Sequence, residues 1–210
     1  MSILTVKELA SPSGFDLKLA TGETLDLNSQ GTVVLPTIPS DKLPTIPSSK
    51  MPTGSVLQVV NVEKVDVFST VANLPAYNDV TGLAATITPS STSSKILVIV
   101  NVKISANGVY FSARLQRQIG SASFTVVHGG NTSFPALGGA YARASHEAYL
   151  AIRQQGGTFL DSPNTTSAVT FKIGLGSSSG TAYLNRTGHS TATADRPNTS
   201  STITLMEIAG

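Results

Sequence analysis

Gly176-Ser177-Ser178-Ser179-Gly180 spells the G-x-S-x-G pattern in which a serine hydroxyl becomes a nucleophile. That chemistry needs a strand running into a helix, so that the serine stands clear above the sheet. Here strand-like residues flank the pattern on both sides, and the serine-rich run reads as a turn. Gly174 and Gly176 fail as a dinucleotide loop because no helix follows them. His128, His146 and His189 are the three histidines, and no two share a short metal-binding spacing. Glu147, Asp161 and Asp195 are the carboxylates nearest turns. None has the sequence partner that glycoside hydrolysis would use. The N-x-S/T triplets at Asn131, Asn164, Asn185 and Asn198 are what a chain rich in Asn, Ser and Thr spells by chance. The residues thus assign no catalytic group, no metal ligand and no cofactor.

Binding chemistry has better candidates. The run from Gly129 to Glu147 reads as one long Gly-rich loop carrying Phe134, Tyr141, Arg143 and His146 among Asn131, Thr132 and Ser133. Connections in a compact β-domain average about four to six residues, so a longer one is often functional. Flat aromatic faces with neutral hydrogen-bonding groups suit a sugar, and Arg143 suits an acidic or phosphate group. Asn185 to Asn198 is a second candidate, with Arg186, His189, Asp195 and Arg196. The competing reading has Phe134 and Tyr141 filling core or interface.

Composition sets the frame for these residues. Of 210 residues, 40% are hydrophobic, enough for a packed core. Only 12% are charged, against about 25% in an ordinary soluble domain. A net charge of +2 with no basic stripe gives no reason to expect nucleic acid. No cysteine is present, so disulfides and thiolate metal sites are excluded. Met1 to Glu8 lacks the pattern of a signal peptide, and Ile96 to Val100 is too short an apolar run to cross a bilayer. No membrane insertion is expected.

Three parts follow along the chain. In residues 1–34, Phe15, Leu17 and Leu19 alternate with polar neighbours, Thr21-Gly22 breaks the run, and Leu25 and Leu27 resume it. This predicts two short strands, too small to bury a core without a partner. Residues 35–53 are a repeat: Leu35-Pro36-Thr37-Ile38-Pro39 returns as Leu43-Pro44-Thr45-Ile46-Pro47, and Met51-Pro52-Thr53 starts a third copy. Proline at this density imposes extended chain at about 3.1 Å per residue. A plain stiff linker would be polar, whereas Leu35, Ile38, Leu43, Ile46 and Met51 form an apolar row. Leaving such residues wet forfeits about 1.5–3 kcal/mol each. Copies wound in parallel would bury the row, so the repeat points to self-association.

Residues 54–210 read as one all-β domain. Strands are expected at Val56 to Val71, Leu83 to Thr88, Lys95 to Ser105, Val109 to Gln118 and Phe124 to Val127. Others are expected at Ala148 to Leu160, Val169 to Leu175, Ala182 to Leu184 and Thr202 to Ile208. Short strands with Gly/Ser/Asn turns make a sandwich or barrel. Ala140 to Arg153 is the one stretch with helical propensity, and its glycine flanks favour strand or loop. Asn107-Gly108 is the strongest hairpin signal and predicts that its flanking strands pair. In the first of them Leu97 and Ile99 occupy the face opposite Ile96, Val98 and Val100, which predicts cover on both faces. That cover is either a second layer of the same chain or a neighbouring subunit.

Gly54 to Val60, Gly82 to Val98, Phe159-Leu160-Asp161-Ser162-Pro163 and Thr202 to Ile208 together resemble the C-terminal domain of tail-fibre proteins from tailed bacteriophages, especially those of aquatic bacteria. The leucine-proline octads resemble the stalk repeats of such fibres. Ser13 to Leu19 with Thr21 to Leu25 is similar to segments that anchor them to the virion. The resemblance implies a homotrimer with a jelly-roll-like tip, made in the bacterial host cytoplasm and carried on the virion. It implies that residues 1–34 hold a tail or baseplate protein and that the tip binds a host-surface glycan or protein. A purely structural virion appendage, or a tailspike glycan hydrolase, are the alternative functions.

Overall fold

Alternation of apolar and polar residues fixes which face of each strand turns inward. The computed structural model describes residues 46–47, 50–128, 136–141, 151–188 and 198–210. Among them are eleven strands and no helix: β1 (Val56–Lys64), β2 (Phe68–Thr70), β3 (Asn78–Ile87), β4 (Lys95–Ala106), β5 (Tyr110–Ile119), β6 (Thr125–His128), β7 (Gly138–Tyr141), β8 (Arg153–Asp161), β9 (Val169–Ser177), β10 (Ala182–Leu184) and β11 (Ser201–Ile208). All belong to one unit, Ile46–Gly210.

Two antiparallel sheets result. Sheet 1 runs β1-β11-β4-β10-β2, with β8 on β4, and sheet 2 runs β3-β9-β5-β6, with β7 on β5. Along β4, β11 pairs with Lys95 to Asn101 and β10 with Ile104 to Ala106, so the two lie end to end. β1 and β2 lie end to end outside them, and β6 and β7 do so along β5. Taking each such pair as one interrupted strand leaves eight, four per sheet. Their order is first-eighth-third-sixth in one sheet and second-seventh-fourth-fifth in the other, the doubled Greek key of a jelly roll.

The core lies between the sheets. Ile96, Val98, Val100, Val102 and Ile104 of β4 face Phe111, Ala113 and Leu115 of β5 and Phe171, Ile173 and Leu175 of β9, all buried. Phe159 of β8 meets Phe171 edge to face, with ring centroids 6.3 Å apart. Each fully buried side chain of this size contributes about 1.5–3 kcal/mol.

Three sequence expectations need correction. β4 and β5 do not pair across Asn107-Gly108: they belong to different sheets, and the turn is a crossover. Its cause is local. Asn107 gives its hydrogen bonds to the β9–β10 loop instead, with Thr181 N donating to its Oδ1 at 2.6 Å and its own N donating to Thr181 O at 3.1 Å. The stretch Val56 to Val71 is two strands, broken at 65–67, where Lys64 pairs with Asp66 at 2.5 Å. Gly129 to Glu147 is not one loop, because β7 adds to the edge of β5 within it. No layer of the described residues lies over Leu97 and Ile99, which are half-buried on the outer face of sheet 1.

The register also assigns the ends. Residues 50–55 lead into β1 at the near end, where Gly54 N donates to Ala209 O at 2.8 Å and Ala209 N to Ser55 O at 2.9 Å. The turns 88–94, 120–124 and 162–168 share this end. At the far end lie the connections 71–77, 107–109 and 178–181, together with the place where the chain leaves β7 at Tyr141 and rejoins β8 at Arg153.

Candidate functional site

The far end is built on the Asn107-Gly108 turn. A Cβ on Gly108 would stand 1.5 Å from Ser179 O, so only glycine lets the two loops close on each other. Tyr110 N donates to Ser178 Oγ at 3.0 Å, and Ser177 Oγ, with one proton to give, lies within reach of both Tyr110 O at 2.9 Å and Ser179 O at 2.6 Å. The serine of the G-x-S-x-G pattern is Ser178, which is exposed in the β9–β10 loop and is followed by a strand and not a helix, so the strand-to-helix elbow of a nucleophile is not formed. The serines of the G-x-S-x-G run pin loops together.

Beside this turn stands a stacked pair. The Arg186 guanidinium lies over the Tyr183 ring, 4.7 Å from its centroid, and Arg186 Nε donates to Thr187 O at 3.1 Å. Asn107 Nδ2 donates to Tyr183 Oη at 3.4 Å. Tyr110 exposes 54% of its surface nearby, paired through the backbone with Tyr141. Aromatic faces beside a held guanidinium suit a polar, ring-shaped ligand with an acidic group.

The second loop is held at its neck by Asn185, a fully buried residue at φ 62°. Its Nδ2 donates to Lys64 O at 2.7 Å and Asp66 O at 3.0 Å, and its Oδ1 accepts from Ser201 Oγ at 2.6 Å. Thr199 N donates to Asn185 O at 3.0 Å, closing the loop where it returns. The chain leaves β10 level with Lys103, and Ser105 Oγ donates to Arg186 O at 2.6 Å. By Gly188 it stands against Ala106, at the far end. Sequence reasoning marked Asn185 as the start of this loop but missed its role as the buried neck, whose signal was an asparagine after a strand, a type that tolerates the left-handed region.

Of the binding candidates, Arg186 lies in this arrangement and the Tyr141 backbone reaches the same end. Phe134, Arg143, His146, His189 and Arg196 lie outside the described residues. So do Leu35, Ile38 and Leu43 of the octad row, whereas Ile46 is 65% exposed. No group of three metal-binding side chains occurs among the described residues.

Of the carboxylates nearest turns, Glu147 and Asp195 lie outside the described residues, and Asp161 has a structural partner. Asp161 takes an ion pair from Arg117 at 2.6 Å. Glu207, missed in the sequence, is fully buried at the near end. Its Oε1 accepts from Ser90 N, Ser90 Oγ and Ser94 Oγ, each at 2.7 Å, and its Oε2 from Gln58 Nε2 at 2.6 Å. Burial pushes this carboxyl up, but the donors together outweigh it and hold Glu207 below the usual carboxylate range. Above it, a cleft of about 320 Å³ is lined by Met51, Leu57, Ser91, Ser93 and Gly210 among others.

No family model matches the chain, and no curated protein does. Among solved structures it is similar to the VP2 subviral particle of infectious bursal disease virus, at 10% identity and TM-score 0.40. That match covers 84% of this chain and 38% of the other. The Gx strain structure of the same virus gives 12% identity and TM-score 0.38 over 80% and 43%. The chain therefore spans about two fifths of the length of the solved chains it matches, and the jelly-roll reading rests on the strand order above.

Proposed function

We propose that this chain is a virion structural protein, a trimeric tail fibre whose jelly-roll tip binds a host-surface glycan or protein through its far end. The observation that carries this reading is the register. It sets the chain's lead-in, residues 50–55, at one end, and Arg186, Tyr183, Tyr110, the last residue of β7 and the first of β8 at the other. A lead-in at one end of the β-domain, with an exposed tyrosine and a half-buried arginine–tyrosine pair at the other, is the arrangement an attachment fibre needs. Residues 1–34 serve as the virion anchor and residues 35–53 as the stalk that brings copies together. The resemblance to phage tail fibres supplies the class of particle and of host.

Binding of the full-length protein to intact host cells and to an array of bacterial surface glycans tests this. Saturable binding is expected, lost in Tyr141→Ala/Arg143→Ala and in Arg186→Ala/Arg196→Ala at unchanged melting temperature. Absence of binding by a folded, virion-incorporated protein would leave a purely structural appendage.

A further inference from the structure

The outer face of sheet 1 carries an apolar row that the sandwich itself does not use. Val59 pairs with Met206, Met206 with Leu97, and Leu97 with Leu160, so one line of side chains crosses four neighbouring strands. Val60, Leu205, Val98 and Phe159 point the other way, into the core, which fixes these four outward. Val59 and Leu160 are 54% and 51% exposed. At about 4.8 Å per strand the row is about 14 Å long. Ile99 extends it towards the sheet centre, and Lys95 and Glu63 mark its borders.

The β1–β2 edge beside this row is also apolar. Val56, Val65, Val67 and Val71 are exposed along it, and β1 offers its outer backbone edge to no strand among the described residues. A long, β-branched, open edge is a pairing liability that natural proteins cover.

Chain length says what covers it. Met51, last of the octad row, is five residues from Val56, the first residue of β1. At no more than about 3.4 Å per residue, β1 starts within about 17 Å of Met51. If the octads of several copies wind together, the β1 edges are drawn to the same axis, and each meets the surface of its neighbour. We infer that the outer face of sheet 1, with the β1–β2 edge, is the surface on which a second copy of this chain packs. The contact is head-to-tail, edge of one copy on the Leu97–Leu160 side of the next, and the octads' shared axis is what closes it into a ring and not an open filament. This rests on the oligomeric fibre reading and adds which face is buried.

The absence of native cysteine makes the test direct. Leu160→Cys and, as control, Thr86→Cys on the exposed outer face of sheet 2 are made in the full chain. Maleimide labelling is timed at concentrations where light scattering gives the oligomer mass, with circular dichroism checking the fold. Leu160→Cys is expected to label at least tenfold more slowly than Thr86→Cys. The double variant Val59→Cys/Leu160→Cys is expected to give oxidised ladders of dimer and trimer. Equal labelling rates in a verified oligomer overturn the inference while leaving the oligomer intact. A folded monomer overturns both, and a protected Leu160→Cys in that monomer assigns the cover to the chain's own N-terminal segment instead.

Discussion

Arg117 of β5 and Asp161 of β8 stand in different sheets, and their side chains meet at 2.6 Å across the near end of the sandwich. The carboxylate side is 10% exposed and the guanidinium side 23%, so water screens the pair only partly. Removing one partner leaves the other charge half-buried without compensation. Arg117→Ala and Asp161→Asn should each cost about 2 kcal/mol, discounted from the fully buried range. Denaturant titration checks this, and a double variant should lose less than the two single losses added together.

Glu207 links β11 to the 88–94 turn through four donors. Glu207→Gln places an amide where Ser90 and Ser94 already donate, and should cost about 2 kcal/mol, or about 4–8 °C in melting temperature. The pH sign follows from the lowered pKa. The folded value lies below the unfolded one near about 4.3, so the contribution is complete above that pH and fades as pH falls through the folded value. The melting temperature of the parent should therefore drop more steeply below about pH 4 than that of Glu207→Gln.

Gly108 faces Ser179 O with no space for a Cβ. Gly108→Val must push the β9–β10 loop away, breaking the bonds from Asn107 to Thr181. A loss of about 3 kcal/mol or more is expected, with host-cell binding impaired even where the core strands stay protected from hydrogen exchange.

Much of the sandwich was legible because alternation is a local signal. β4, β5, β9 and β11 bury the faces their sequences mark, and the inward set on β5 is the Phe111, Ala113 and Leu115 series. What failed depended on partners far along the chain. Asn107-Gly108 reads as a hairpin until Thr181 and Ser179, about 70 residues later, capture its polar groups. β7 was invisible because Gly138-Gly139-Ala140-Tyr141 has little strand propensity and is ordered by β5. Tyr183 and Glu207 carried no motif, and the N-x-T triplet at Asn185 bears no relation to its buried role. Their roles come from neighbours that only the fold supplies. The candidate site was legible in its residue types and half of its loops, and not in which end it occupies.

The octad row makes a separate demand on assembly. Ile38→Ser/Ile46→Ser removes two apolar side chains per copy from a contact that leaves the β-domain untouched. Mass by light scattering should fall from oligomer towards monomer at low micromolar concentration, while the far-ultraviolet spectrum of the sheets is kept. Deleting residues 1–34 should leave the oligomer whole but absent from purified particles.

The most direct measurement of the attachment role is competition. Host cells are incubated with purified full-length protein before particles are added, and the adsorption rate is followed. The fibre reading predicts at least a tenfold fall in adsorption at saturating protein, and no fall with the Arg186→Ala/Arg196→Ala variant. Undiminished adsorption in the presence of folded, oligomeric parent protein would contradict it.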